Sequence, residues 1–162
     1  MRKGFTMIEL IFVIVILGVL ASVAIPRLAA TRDDAEVAKA ATNLTTAVSD
    51  LTAYYTAKGN FSGVSTDFTK VTNALTKDGK LNVKGSTTCV TVTVPNTTNN
   101  AANNSDAVKI SLQFTNSDAV CKTLMTLPGI KAMCGKSGSG DSIGIGQSDC
   151  QIQVGGSGGI QF

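Results

Sequence analysis

Residues 5–26 read FTMIELIFVIVILGVLASVAIP, and the interpretation of this stretch decides the rest of the chain. It is apolar almost throughout and carries one charged residue, Glu9. Taken as a helix, the 21 residues 5–25 span about 31 Å. That matches a hydrocarbon core of about 30 Å. A carboxylate one turn inside such a helix is costly in lipid unless something pairs with it. The segment therefore predicts a membrane span that poses a question: what Glu9 is for.

Upstream lies a short basic head, Met1-Arg2-Lys3-Gly4, followed by Phe5-Thr6-Met7-Ile8-Glu9-Leu10. Here the chain resembles the type IV pilin and type II secretion pseudopilin family. In that family a short basic leader ends in Gly. A membrane-embedded prepilin peptidase cuts after it and methylates the new N-terminal amine, usually on Phe. The resemblance therefore implies cleavage between Gly4 and Phe5, with Phe5 N-methylated. The family's Glu is the fifth residue of the mature chain, which is Glu9 here, and its Pro at mature position 22 is matched by Pro26. The likeness is close over the first third of the chain; the remainder resembles the family only in general style. It implies a structural subunit of a type IV pilus-like filament. The alternatives are a pseudopilin acting in protein export and a minor pilin-type module for adhesion or DNA uptake. Implied partners are other copies of the chain, prepilin peptidase, an inner-membrane assembly platform, other pilin-like subunits and the lipid bilayer.

Physical chemistry leads to a similar place. Cleavage would leave a cationic amine on Phe5 at the start of an apolar helix. A second copy shifted axially by a few residues would bring its amine to Glu9, and in low dielectric that pair attracts strongly. Glu9 then disfavours the isolated subunit and favours the stack. Three plainer readings compete. An ordinary signal peptide would use the small residues Ser22-Val23-Ala24 as its cleavage site, but Glu9 fits such an apolar run poorly. A single-span anchor needs no Glu9 at all. Alternatively, Glu9 caps its own helix or snorkels to the interface, which is compatible with pairing after assembly.

The domain reading follows: leader 1–4, membrane and assembly half of the helix 5–26, amphipathic half 27–58, and a β-rich globular part 59–162. Gly18 and Pro26 interrupt the first half; Pro26 removes a donor and crowds the Ser22 carbonyl, which predicts a kink. The family resemblance makes 18–26 the soft segment. Beyond it, Val37, Ala41, Leu44, Val48, Leu51 and Tyr55 recur at steps of four and three, one apolar stripe along a helix. Asp33, Asp34 and Glu36 form an acidic patch, read as a solvated face or as a partner for Arg27 or Arg32 of a neighbour. Gly59 suits the helix end.

Downstream, residues 87–94 (TTCVTVTV) and 107–114 (AVKISLQF) alternate with period two and predict half-buried strands. A polar loop, 96–106, joins them. Short strands near 80–83, at 151–154 and at 159–162 complete an antiparallel sheet against the helix, an α+β fold. Residues 117–127 predict a short helix, capped by Ser117 and ended by Pro128-Gly129. Residues 135–150 are rich in Gly and Ser.

Net charge is +3, and without Arg2 and Lys3 the balance is 12 basic against 11 acidic side chains. With no Trp and few aromatics, neither a duplex-binding nor a stacking surface is indicated, so no nucleic acid is expected. There is no His, so Ser, Thr and Cys have no evident activating base, and no enzyme is expected. Arg2 and Lys3 place the N-terminus in the cytoplasm and the rest outside: the bacterial inner membrane first, then the periplasm or a surface filament. Cys89, Cys121, Cys134 and Cys150 all fall in the exported part, at gaps of 32, 13 and 16, without zinc-type spacing. They read as two disulfides. Closing the Gly-rich loop favours Cys134–Cys150 with Cys89–Cys121, although the sequence alone permits all three pairings. No cofactor is expected; calcium at Asp141 and Asp149 is the alternative, in a loop that lacks a dense oxygen-ligand pattern.

Overall fold

A computed structural model describes residues 4–95, 107–136, 142–146 and 150–155 of the chain. The first element, α1, runs Met7–Lys58 and continues through Gly18 and Pro26. It begins two residues later than a helix counted from Phe5, because Thr6 supplies its cap. It ends where the sequence places the stop: Gly59 has φ of +72°, and its N–H bonds the Tyr55 carbonyl at 2.7 Å.

The chain divides into two compact units after Ala35. In the first, α1 is apolar and uncovered. Its most apolar 18 residues have a mean hydropathy of 2.9 and none is buried. The helix is thus long and apolar enough to cross a membrane.

The second unit, from Glu36 on, holds the core. Val37, Leu44, Val48 and Leu51 are buried along α1, with Ala41 and Tyr55 packed at the margin. Ala40 and Ala47 are buried as well, so the stripe is wider than the heptad-like steps indicate. Against it lies a four-stranded antiparallel sheet in the order β1 (Lys80–Val83), β2 (Thr87–Thr93), β3 (Val108–Phe114), β4 (Cys150–Gly155). Register places Leu81 opposite Val90, Val92 opposite Leu112, Val90 opposite Phe114, and Ile110 opposite Ile152, so these side chains share one face. That is the face period-two alternation predicts. Cys89 breaks the alternation, buried beside Val90 by its bond to Cys121.

Two disulfides, Cys89–Cys121 and Cys134–Cys150, close the fold, with Cα separations of 5.0 and 4.6 Å. The pairing favoured by the Gly-rich loop is the one present. The strand at 151–154 is found as β4; the expected strand at 159–162 and the loop 96–106 lie outside the described residues.

The helix predicted over 117–127 needs correction. The segment α2 is Ala119–Thr126, and its cap is Asp118, whose carboxylate accepts the Val120 N–H at 2.9 Å. Ser117 instead donates to the Thr88 carbonyl at 3.2 Å. Pro128 does not lead into a loop; it opens a further helix, α3 (Pro128–Met133), because a missing N–H costs nothing in a first turn. Residues 60–79, in which no period is evident, bring Phe61, Val64, Phe68 and Leu75 into the core through turns and one 3-10 turn, Phe68–Lys70.

Candidate functional site

The residues singled out for processing and assembly lie at the start of α1. Gly4 and Phe5 precede the helix, and Phe5 is 90% exposed. Thr6 is not helical either. Its backbone N–H donates to Glu9 Oε2 at 2.9 Å, and its hydroxyl donates to the same oxygen at 2.7 Å. In return the Glu9 N–H donates to Thr6 Oγ1 at 3.4 Å. This is a capping box: Thr and a Glu three residues on satisfy each other's end groups, and the carboxylate sits at the positive end of the helix dipole. The plain reading of Glu9 as a cap thus describes the single chain. It does not use the carboxylate up, since an ionised carboxylate offers about four acceptor positions and Thr6 takes two of them, both on Oε2. The box also fixes where that carboxylate points. Thr6 is the functional neighbour the sequence reading missed; Thr-x-x-Glu ahead of an apolar run was the available signal.

From Phe5 to Leu28 every large hydrophobic side chain is exposed. An uncovered surface of that extent belongs in lipid or against other subunits. Gly18 has open space around the position of a Cβ, and Pro26 leaves the Ser22 carbonyl without its helical donor. Arg2 and Lys3 lie outside the described residues, as do Asp141 and Asp149. Among the described residues no group of three or more His, Cys, Asp or Glu side chains is disposed to hold a metal. A groove between Ala41, Thr42 and Thr45 of α1 and residues 127–130 is lined without a titratable group. All four cysteines are consumed in disulfides.

Residues 1–25 match the family described as the prokaryotic N-terminal methylation motif, the prepilin signature of type IV pilins and pseudopilins. No curated protein and no solved structure matches the chain. The motif together with the apolar helix supports a type IV pilin-like or pseudopilin subunit, and the motif suggests a structural role. It implies processing by prepilin peptidase and assembly with other pilin subunits, and is consistent with an inner-membrane anchor.

Proposed function

We propose that the chain is a filament subunit of type IV pilus type. It enters the inner membrane with Arg2 and Lys3 in the cytoplasm, is cut between Gly4 and Phe5 and N-methylated on Phe5, and polymerises through α1. The observation that carries the reading is the arrangement at the helix start. A matched processing motif sets Gly4 and Phe5 just ahead of a capped apolar helix, and the helix's single early charge is a carboxylate already aimed by Thr6. The amine of an arriving copy would meet an oriented acceptor, so little ordering remains to be done when the pair forms. Charge neutralisation in lipid then favours the stack over the single subunit.

The test has two parts. Mass spectrometry of exported material should find a chain beginning at methylated Phe5. Glu9→Val should leave processing intact and reduce filaments to a small fraction of wild type. A chain beginning at Met1 or Ile25, or Glu9→Val filaments at wild-type yield, overturns the reading. Shearing then separates pilus from pseudopilus: a pilus subunit dominates long surface fibres, whereas a pseudopilin is found with export components.

A further inference from the structure

The face of α1 that carries Glu9 can be followed beyond the membrane. At about 100° per residue, Arg27 lies about five whole turns from Glu9 and returns to its azimuth, and Asp34 comes within about 20° of it. Neighbouring charges do not: Arg32, Asp33 and Glu36 are about 140°, 240° and 180° away by the same measure. Arg27 and Asp34 are both exposed, and neither forms an ion pair among the described residues. Phe5, whose amine the filament reading pairs with Glu9, lies about 40° off this line. One face thus holds two cation-then-acid sets in the same polarity, Phe5 amine with Glu9 and Arg27 with Asp34.

Resting on the filament reading above, we infer that Arg27 of one copy pairs with Asp34 of the adjacent copy, the same neighbour whose amine meets Glu9. Bringing the Phe5 amine level with Glu9 advances the neighbour by about four residues, or 6 Å. The neighbour's Arg27 then stands about three residues, or 4.5 Å, short of Asp34 along the axis. A guanidinium on a three-carbon stem covers that distance. Both side chains lean toward the N-terminus, so the lean leaves that gap about unchanged and the length of the Arg27 stem closes it. Arg27 lies about 27 Å beyond Glu9, close to a bilayer thickness, so the second pair forms where the helix leaves the hydrocarbon and water screens it less than on an open surface. Two pairs on one line fix axial register better than one, because a slip of a turn breaks both.

The experiment measures sheared filament yield from cells making the full chain, with subunit level in the membrane as control. Arg27→Asp and Asp34→Arg should each lower yield by about tenfold, and the double swap should recover most of it, as charge pairs removed from bulk water do. The neutral Arg27→Gln and Asp34→Asn should lower it in the same direction if a reversal reduces subunit level. Arg32→Asp, off the line, should leave yield near wild type. Unchanged yield in the Arg27 and Asp34 variants overturns the inference while filaments in wild type keep the filament reading intact. Loss in Arg27→Asp alone, with no effect of Asp34→Arg and no rescue in the swap, assigns Arg27 to lipid headgroups and overturns it as well. Absence of filaments from wild type sinks the filament reading itself.

Discussion

Asp118 does two jobs with one carboxylate. By accepting the Val120 N–H it caps α2, and it pairs with Lys84 Nζ at 3.2 Å, which ties the β1–β2 turn to the helix start. The Val120 N–H first, and Lys84 second, hold its carboxyl below the usual carboxylate range. Asp67 is held low in the same way, chiefly by the Thr69 hydroxyl. A folded-state value below the unfolded one means that the unfolded chain takes up more protons as acid is added. The stabilisation is therefore complete above the unfolded value of about 3.9 and is lost as pH falls through the lower folded values. The melting temperature of the full chain in detergent should be flat from about pH 7 to 5 and drop below about pH 4. Asp118→Asn still caps a helix but cannot titrate, so its melting profile should show a shallower acid limb; an acid limb identical to wild type would refute the linkage. The methylation motif over residues 1–25 was legible because such a signal is linear. Thr6 left a linear signal too, Thr-x-x-Glu, but its role shows only once α1 is seen to start at Met7, since a helix boundary is set by its cap rather than by its apolar run.

Strands β2 and β3 were legible from alternation alone, and α1 from its stripe and terminal Gly59. The connection between α1 and β1 was not, for a physical reason. It is held by single contacts rather than by a repeat, and Gly79 is the clearest of them. Its φ is +73°, its carbonyl accepts the Val92 N–H at 2.8 Å, and a Cβ there would stand 2.7 Å from both the Val92 carbonyl oxygen and the Phe68 ring. The backbone oxygen belongs to β2 and cannot swing aside. Gly79→Ala should therefore cost both the left-handed backbone penalty and an overpacking term, together about 2–5 kcal/mol. Gly85 has φ of +89° in open space, so Gly85→Ala should lose only the backbone part, about 1–2 kcal/mol. Denaturant unfolding followed by far-ultraviolet circular dichroism measures both. Equal losses would show that the close approach at Gly79 is not what constrains this connection. Pro128 taught the converse lesson: read as a stop, it is the first residue of α3, since one proline ends the helix before it and begins the one after it.

Across the unit that begins at Glu36, two covalent bonds add to what the apolar core holds. Cys89–Cys121 joins β2 to α2 over 32 residues, and both sulfurs are fully buried. Cys134–Cys150 joins the end of α3 to β4 over 16 residues. Among the described residues strand β4 is an edge strand paired with β3 alone, and its far end is seated by Gly155 against the Tyr55 ring, where a Cβ would collide. Loop-closure entropy assigns about 3 kcal/mol to the shorter bridge and about 4 to the longer, and the model carries that value for the unfolded chain rather than for any native contact. The two removals should therefore differ in kind as well as size. Cys134→Ala with Cys150→Ala should lower the melting temperature and free β4 first, seen as faster amide exchange at residues 151–154 than at β2 and β3. Cys89→Ala with Cys121→Ala leaves space in the core as well as a longer free loop, and should lower the melting temperature further while amide protection falls across β1, β2 and β3 together. The alternative outcome is equally readable. Should β4 stay protected without its bridge, then the β3 ladder and the Tyr55 seat hold it, and the bond between Cys134 and Cys150 serves the Gly-rich connection rather than the sheet.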